Sequence, residues 1–210
     1  MTPSKYRGTI GRVAMRKMIT APLLAAGLAF MIPAASVVPG PGLPKAEVQL
    51  VPVTHYEPTW KCEDCTQEEQ YVLAQLQEHT KITDKNALAT LMGNIKQESK
   101  FIPNICEGGA RVSYENCLSG GYGLIQWTSA HRYKGLGTFC NKFACDPSSL
   151  AGQVRWMINE PIFQRYLPEF EGHGYSISQY MTPAYYWLGW GIKGNREIYA
   201  YDYESKMILV

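Results

Sequence analysis

The sequence predicts an all-α or α-dominated (α+β) domain that follows an N-terminal hydrophobic segment and a proline-rich linker. Apolar residues beyond residue 66 repeat at the spacing of an α-helix, and capping residues precede several of these runs. Alternation of apolar and polar residues is nowhere long enough to require more than a small sheet. With 46% apolar residues in a chain of 210, the sequence can form a substantial core.

The first 46 residues have the composition of a targeting segment, because they hold six Lys or Arg and no Asp or Glu. Their apolar centre at residues 23–32 is short for a membrane span but suits the hydrophobic region of a signal peptide. Small residues follow at 34–36. We therefore predict a signal peptide or signal anchor over residues 1–36. The alternative is a buried or interfacial helix of a virion protein that is not exported.

Residues 37–60 are rich in proline and have no helical period, so we predict an extended linker there. The main domain is predicted over residues 61–210. Without the first 46 residues, 14 basic residues stand against 18 acidic ones, a net charge of −4. A mildly acidic domain argues against nucleic acid as a partner.

Five helices are predicted along the main domain. Their approximate bounds are 67–79, 85–98, 128–139, 150–160 and 176–190. Thr66, Asp84 and Ser149 are the expected N-caps of the first, second and fourth helices. Pro161 is expected to stop the fourth helix, and Pro183 interrupts the fifth. A long irregular loop is predicted between the second and third helices.

Glu98 lies on the predicted second helix, on the same stripe as Leu88, Leu91 and Ile95. An apolar stripe that ends in a carboxyl group directs that group toward the interior, where desolvation raises its pKa. A carboxylic acid that stays protonated near neutral pH is what cleavage of a glycosidic bond requires. The pattern therefore predicts Glu98 as the general acid of such a reaction.

A second motif follows about 25 residues later, where Gly121 and Gly123 enclose Tyr122 and precede Gln126 and Trp127. Glycines allow the backbone to approach a ligand closely. We expect the amide of Gln126 to form hydrogen bonds with a sugar or to fix the loop that holds Glu98. The ring of Trp127 is expected either to stack on a sugar or to pack in the core, and the same alternatives apply to Tyr122.

The pair of motifs, Glu98-Ser99 and residues 123–126, resembles the signature of lysozyme-like lytic transglycosylases. The longer strings, residues 93–103 and 121–127 with Arg132, are similar to the phage tail lysozyme family, and residues 153–160 resemble its next helix. The resemblance covers about residues 86–160. It implies a lysozyme-like fold and cleavage of the β-1,4 bond between N-acetylmuramic acid and N-acetylglucosamine, with Glu98 as general acid and base.

The resemblance also implies a set of substrate contacts. They are Ser99, Tyr122, Gly123, Gln126 and Trp127. Hydrolases use a second carboxylate, whereas lytic transglycosylases use one Glu and the C6 hydroxyl of the sugar itself. Glu107 and Glu115, in the loop after Glu98, are the candidates for a second carboxylate. Neither is well placed by the sequence, which favours transglycosylation slightly. We expect no cofactor and no metal.

The six cysteines form three local pairs, and an even number behind a signal-like segment predicts disulfides made in an oxidising compartment. The pairs are Cys62 with Cys65, Cys106 with Cys117, and Cys140 with Cys145. Local pairing is the simplest of the fifteen arrangements that six cysteines allow. The rival is zinc bound through Cys62 and Cys65, although no second pair of ligands follows at suitable spacing.

Residues 184–189, which include Tyr185 and Tyr186, resemble a third transglycosylase motif in part. Tyr186 replaces the Asn of that motif, so core packing of these aromatic residues is the alternative. The expected partners are bacterial peptidoglycan and either a membrane, through the N-terminal segment, or phage virion proteins. We expect the protein on the virion or exported to the periplasm or cell envelope of a bacterial host. The alternatives to an enzyme are a virion structural or wall-binding protein without catalysis and a disulfide- or zinc-stabilised adhesion module.

Overall fold

The computed structural model describes residues 60–210, and in this range it contains seven α-helices and two short strands. They are β1 (Trp60–Lys61), α1 (Gln67–His79), α2 (Lys85–Ser99), α3 (Ala130–Phe143), α4 (Leu150–Asn159), α5 (Pro161–Phe170), α6 (Ile177–Leu188), α7 (Arg196–Lys206) and β2 (Ile208–Leu209). The prediction of an α-dominated fold is confirmed. The predicted signal segment and the linker up to residue 59 lie outside the described residues.

The predicted N-caps are confirmed. Thr66 accepts a hydrogen bond from the backbone of Glu69, whose side chain accepts one from the backbone of Thr66 in return. Asp84 caps α2, and Ser149 caps α4. Ser176 caps α6 with a second capping box. These local bonds satisfy N–H groups that a helix start leaves without partners, which is why the helices begin where the sequence indicates.

Two features of the helices were not predicted. Pro161 follows the end of α4 but also begins α5, because proline at the first helical position loses no hydrogen bond and has the φ angle of a helix. The whole of α7 was also missed. Its eleven residues include few large apolar side chains, and only Arg196, Ala200 and Tyr203 are buried.

Helix α2 occupies the centre of the domain. Leu88, Leu91 and Ile95 are fully buried, as their shared stripe predicts. The helix packs against α7 at Gly93, where a Cβ atom would lie 2.5 Å from the backbone nitrogen of Ala200. Because that neighbour is backbone, only glycine permits the two helices to approach this closely. The C-terminal end of α2, which carries Glu98, is thereby held beside the start of α7.

The ends of the described region are joined by an antiparallel pair, in which Trp60 of β1 lies opposite Leu209 of β2. The six cysteines form the three expected local disulfides. A disulfide between Cys62 and Cys65 leaves no thiolate for a metal, so the zinc alternative is wrong for this pair. Within residues 60–210, none of the helices has the length and apolar character needed to cross a membrane.

Candidate active site

Helix α2 ends at Ser99, directly after Glu98, because the two residues that follow Ser99, Lys100 and Phe101, have left-handed backbone conformations, with φ of 53° and 62°. Ser99, the last residue of the helix, is buried and donates a hydrogen bond of 2.7 Å to the carbonyl of Leu124. This bond joins the two sequence motifs directly. Ser99 therefore positions the loop at residues 121–127 beside Glu98, and its burial does not fit the expected contact with substrate.

Glu98 is largely removed from solvent, with 16% of its side chain exposed. Burial is the main influence on its carboxyl group and raises its pKa, while Arg196 of α7, which forms an ion pair with it, and the more distant Arg132 lower it. The raising effect of burial prevails, so the pKa of Glu98 lies above its ordinary value. This direction agrees with the sequence-based expectation.

The side chain of Gln153 on α4 holds the loop at residues 121–127 in place through hydrogen bonds to backbone. Its fully buried side chain accepts a hydrogen bond of 2.7 Å from the backbone of Leu124 and donates one of 2.6 Å to the carbonyl of Pro103. A Cβ atom at Gly123 would lie 2.5 Å from the Gln153 amide oxygen, and Gly123 has a φ of 73°. Gly123 is therefore required by this packing, whatever its role toward a substrate.

Gln126 lies at the partly exposed edge of the same loop, in a left-handed conformation with φ of 51°. Its amide nitrogen donates to the carbonyl of Gly123 at 3.0 Å. Gly121 packs against this side chain, because a Cβ atom there would be 2.9 Å from the Gln126 amide oxygen. The amide thus fixes the loop, and a contact with sugar remains a prediction.

Two predicted sugar contacts are instead part of the core. Trp127 and Tyr122 are fully buried. The indole of Trp127 donates to Glu160 at 3.2 Å, and the hydroxyl of Tyr122 donates to the carbonyl of Val112 at 3.2 Å. Neither ring has a face open to a ligand in this conformation, so the expectation that they meet a sugar does not fit the structure.

Glu160 is a buried carboxylate that sequence reasoning missed. Its two oxygens accept hydrogen bonds from the indoles of Trp127 and Trp187, at 3.2 and 3.0 Å, and from Arg132 at 3.2 and 2.5 Å. The four bonds account for a charge in the core, because each carboxylate oxygen has partners. They also fix Arg132, which is near enough to Glu98 to lower its pKa.

The family model of the phage tail lysozymes matches residues 67–179, more than half of the chain. The chain belongs to the phage tail lysozyme family. The match includes Glu98, Arg132 and Glu160 but ends before Arg196. Family membership indicates a lysozyme-like, glycosidase-type enzyme that acts on peptidoglycan. No curated protein and no solved structure was found to match.

The two candidates for a second carboxylate lie in the loop that follows α2 of this phage tail lysozyme domain. Glu107 is exposed and accepts a hydrogen bond of 2.9 Å from the backbone of Gly121. Glu115 is exposed in a short 3₁₀ turn, Tyr114–Asn116. Within residues 60–210, the charged groups that shift the pKa of Glu98 are both arginines, and neither of these carboxylates is among them.

Two large surface cavities of the described region lie away from Glu98. One of about 460 Å³ is formed by β1 and α1, and one of about 410 Å³ lies between α5 and α6. Residues 60–210 also contain no cluster of three or more His, Cys, Asp or Glu side chains that could hold a metal ion. The candidate site of this phage tail lysozyme domain is therefore the region of Glu98 and the adjacent loop.

Proposed function

We propose that this protein cleaves the β-1,4 bond between N-acetylmuramic acid and N-acetylglucosamine in peptidoglycan, with Glu98 as the general acid. The observation that carries the proposal is the position of Glu98, a largely buried carboxyl group at the end of the apolar stripe of α2. Burial favours the protonated form that an acid needs before the bond breaks. A structural or wall-binding module does not require a carboxyl group whose protonated form is favoured in this way.

The two arginines suit the second half of the reaction. Once Glu98 has given its proton to the bridging oxygen, it is a carboxylate in a poorly solvated position. The ion pair with Arg196 and the more distant charge of Arg132 stabilise that carboxylate. Burial raises the pKa of Glu98 and the positive charges lower it. Glu98 can therefore act first as an acid and then as a base.

For the product, we propose an anhydro sugar. Glu98 protonates the bridging oxygen as the bond from that oxygen to C1 of muramic acid breaks. The Glu98 carboxylate then takes the proton of the C6 hydroxyl of the same sugar, whose oxygen closes a ring on C1. Two observations support this route over hydrolysis: Arg196 and Arg132 are the charges that act on Glu98, and Glu107 is bonded to the loop backbone.

The biological setting follows from the family and the N-terminal sequence. We propose a phage-borne or virion-associated lysin whose partner is bacterial peptidoglycan. A signal peptide or anchor over residues 1–36 would bring it to the periplasm or the cell envelope. The three disulfides suit that setting, because an oxidising compartment preserves them.

Substitution of Glu98 tests the assignment of the acid. Glu98→Gln keeps the shape of the side chain but has no acidic proton to donate, so we expect cleavage of purified peptidoglycan to fall by about a hundredfold or more. Glu169→Gln, a change of an exposed carboxylate on α5, is the matched control and should stay near wild type. If Glu98→Gln retains more than about a tenth of the activity while its thermal midpoint is unchanged, the assignment is wrong.

Mass spectrometry of the released muropeptides tests the product. Ring closure leaves an anhydro-muramyl end, which is lighter by one water than the reducing end left by hydrolysis. We expect mainly anhydro ends from the full chain. Mainly reducing ends would contradict the anhydro route and direct attention to Glu107 and Glu115, each of which would then be replaced by Gln in turn.

A further inference from the structure

An aromatic surface continues outward from the environment of Glu98. The guanidinium of Arg196, which pairs with Glu98, lies over the ring of Trp190 at 4.8 Å from its centre. Trp190 in turn contacts Tyr185 edge to face, with ring centres 5.3 Å apart. Each contact in this series is direct, so the first aromatic ring is only one side chain away from the catalytic carboxyl.

The series then passes along α6 to α5. Tyr185 and Tyr186 contact each other with ring centres 5.3 Å apart, and Tyr186 stacks on Tyr166 of α5 at 5.8 Å. We call the four aromatic residues, Trp190, Tyr185, Tyr186 and Tyr166, the aromatic ribbon. It extends from the Arg196 side of the site over the outer surface of α5 and α6.

The local backbone builds the ribbon. Helix α6 ends at Leu188. The next residue, Gly189, has a φ of 71° that reverses the direction of the chain, and its backbone donates to the carbonyl of Tyr185 at 2.7 Å. This turn brings Trp190 back against Tyr185. The contact therefore results from a defined helix end rather than from a chance approach of two surface side chains.

The central rings of the ribbon are exposed to solvent. Tyr185 is 46% exposed and Tyr186 is 55% exposed, whereas the next residue, Trp187, is fully buried and bonded to Glu160. The same helix therefore places Trp187, like Tyr180, in the core and two adjacent tyrosines on the surface. Adjacent exposed aromatic rings that border a site are typical of ligand-binding surfaces.

We propose that the aromatic ribbon binds the glycan strand beyond the bond that Glu98 cleaves, with sugar rings stacking on Tyr185 and Tyr186. This inference rests on the proposed function, because that function supplies the strand. The ribbon is uncharged, which suits a sugar backbone better than an ionic partner. Tyrosine offers a ring face to the C–H face of a sugar and a hydroxyl to its polar edge. Because the ribbon contacts Arg196, which pairs with Glu98, the strand that it binds is one already held in the site.

The test measures binding of glycan oligomers of increasing length to the full chain carrying Glu98→Gln, so that nothing is cleaved. In this background we expect Tyr185→Ala and Tyr186→Ala each to weaken binding of long oligomers about two- to tenfold, while binding of the disaccharide is unchanged. Tyr201→Ala is the matched control, since Tyr201 is a 52% exposed tyrosine of α7 outside the ribbon. In the chain with Glu98 intact, the same changes should raise KM for long strands more than they lower kcat.

The outcomes separate this proposal from the function on which it rests. If the wild type cleaves peptidoglycan but the tyrosine variants bind long oligomers as tightly as Tyr201→Ala does, the ribbon proposal is wrong and the proposed function stands. An equal loss for the disaccharide and for long oligomers also overturns it, because a general structural effect would act at every length. If the wild type cleaves no peptidoglycan but binding through Tyr186 still depends on oligomer length, the ribbon is supported and the proposed function is contradicted.

Discussion

Arg196, the first residue of α7, forms an ion pair with Glu98 at the end of α2, although 98 positions separate them in the sequence. The arginine side chain is 6% exposed and also donates to the carbonyls of Ile192 and Lys193, at 3.0 and 2.9 Å. These bonds to the preceding turn fix the guanidinium. The protonation of Glu98 therefore depends on the correct docking of α7.

Arg196→Met should change the pH dependence of cleavage. The positive charge lowers the pKa of Glu98, so its removal should raise that pKa further above the ordinary value. Because the acid must be protonated to act, activity is lost as the pH rises through this pKa, and the alkaline limb of the profile should move to higher pH. The pH profile of kcat/KM on purified peptidoglycan measures this shift.

Two further variants isolate the charge of Arg196 from its packing. Arg196→Lys keeps a positive charge and should leave the alkaline limb closer to that of the wild type. Lys193→Met removes a charge of the same turn that pairs with Glu197 instead, so the limb should stay in place. An unmoved limb in folded Arg196→Met would show that the ion pair does not control Glu98.

Gly93→Ala should destabilise the domain, even though alanine favours helix formation by about 1 kcal/mol over glycine. The added Cβ would lie 2.5 Å from the nitrogen of Ala200 and 2.6 Å from the carbonyl oxygen of Arg196. Since both atoms are backbone, α7 must shift, and we expect a net loss of about 1–3 kcal/mol in urea unfolding. Gly191→Ala, with nothing within 4 Å of the added atom, is the matched control. Equal stability of the two variants would contradict the close crossing.

Glu69→Gln should remove part of the stability that depends on acid pH. Burial alone would raise the pKa of Glu69, but hydrogen bonds from Lys96, from the Tyr203 hydroxyl and from the backbone of Thr66, with the charge of Lys96, outweigh it and lower the pKa. A lowered pKa gives stability that is present at neutral pH and is lost as the pH falls through the folded-state value. We expect the variant to lose about 1–3 kcal/mol at pH 7.

The dependence of this loss on pH distinguishes the charge of Glu69 from its packing. The difference between wild type and Glu69→Gln in urea unfolding should shrink as the pH falls below the ordinary pKa of a glutamate and through the lowered folded-state pKa of Glu69. Glu204→Gln is the matched control, since Glu204 forms a more exposed pair with Lys85 and should matter little. A loss that is the same at pH 7 and in acid would contradict the role of charge.

Glu160→Gln should destabilise the core by about 3–5 kcal/mol, because it breaks a buried ion pair from one side. The amide oxygen can accept from some of the present donors, but the amide nitrogen faces Trp or Arg donors that it cannot satisfy. The measurements are urea unfolding and near-ultraviolet circular dichroism of Trp127 and Trp187. Glu169→Gln changes an exposed residue of α5 and should leave both unaltered. A Glu160 variant as stable as this control would refute the network.

The sequence determined the parts of this protein whose causes are local. Thr66, Asp84 and Ser149 marked helix starts because a cap bonds to backbone only two or three residues away. The stripe that includes Ile95 predicted the partly buried position of Glu98, since helical spacing alone places them together. The disulfides followed the short cysteine spacings.

Tertiary structure alone decided the surroundings of Glu98. Helix α7 was missed because its buried residues, at helical spacing, are an arginine, an alanine and a tyrosine rather than an apolar stripe, and because Gly93 reveals its role only when α7 packs against it. The sequence offered Trp127 as a residue that stacks on a sugar, but in the structure its indole is buried and donates a hydrogen bond to Glu160. Burial and ion pairing between distant segments depend on which surfaces the whole chain brings into contact, and local spacing does not contain that information.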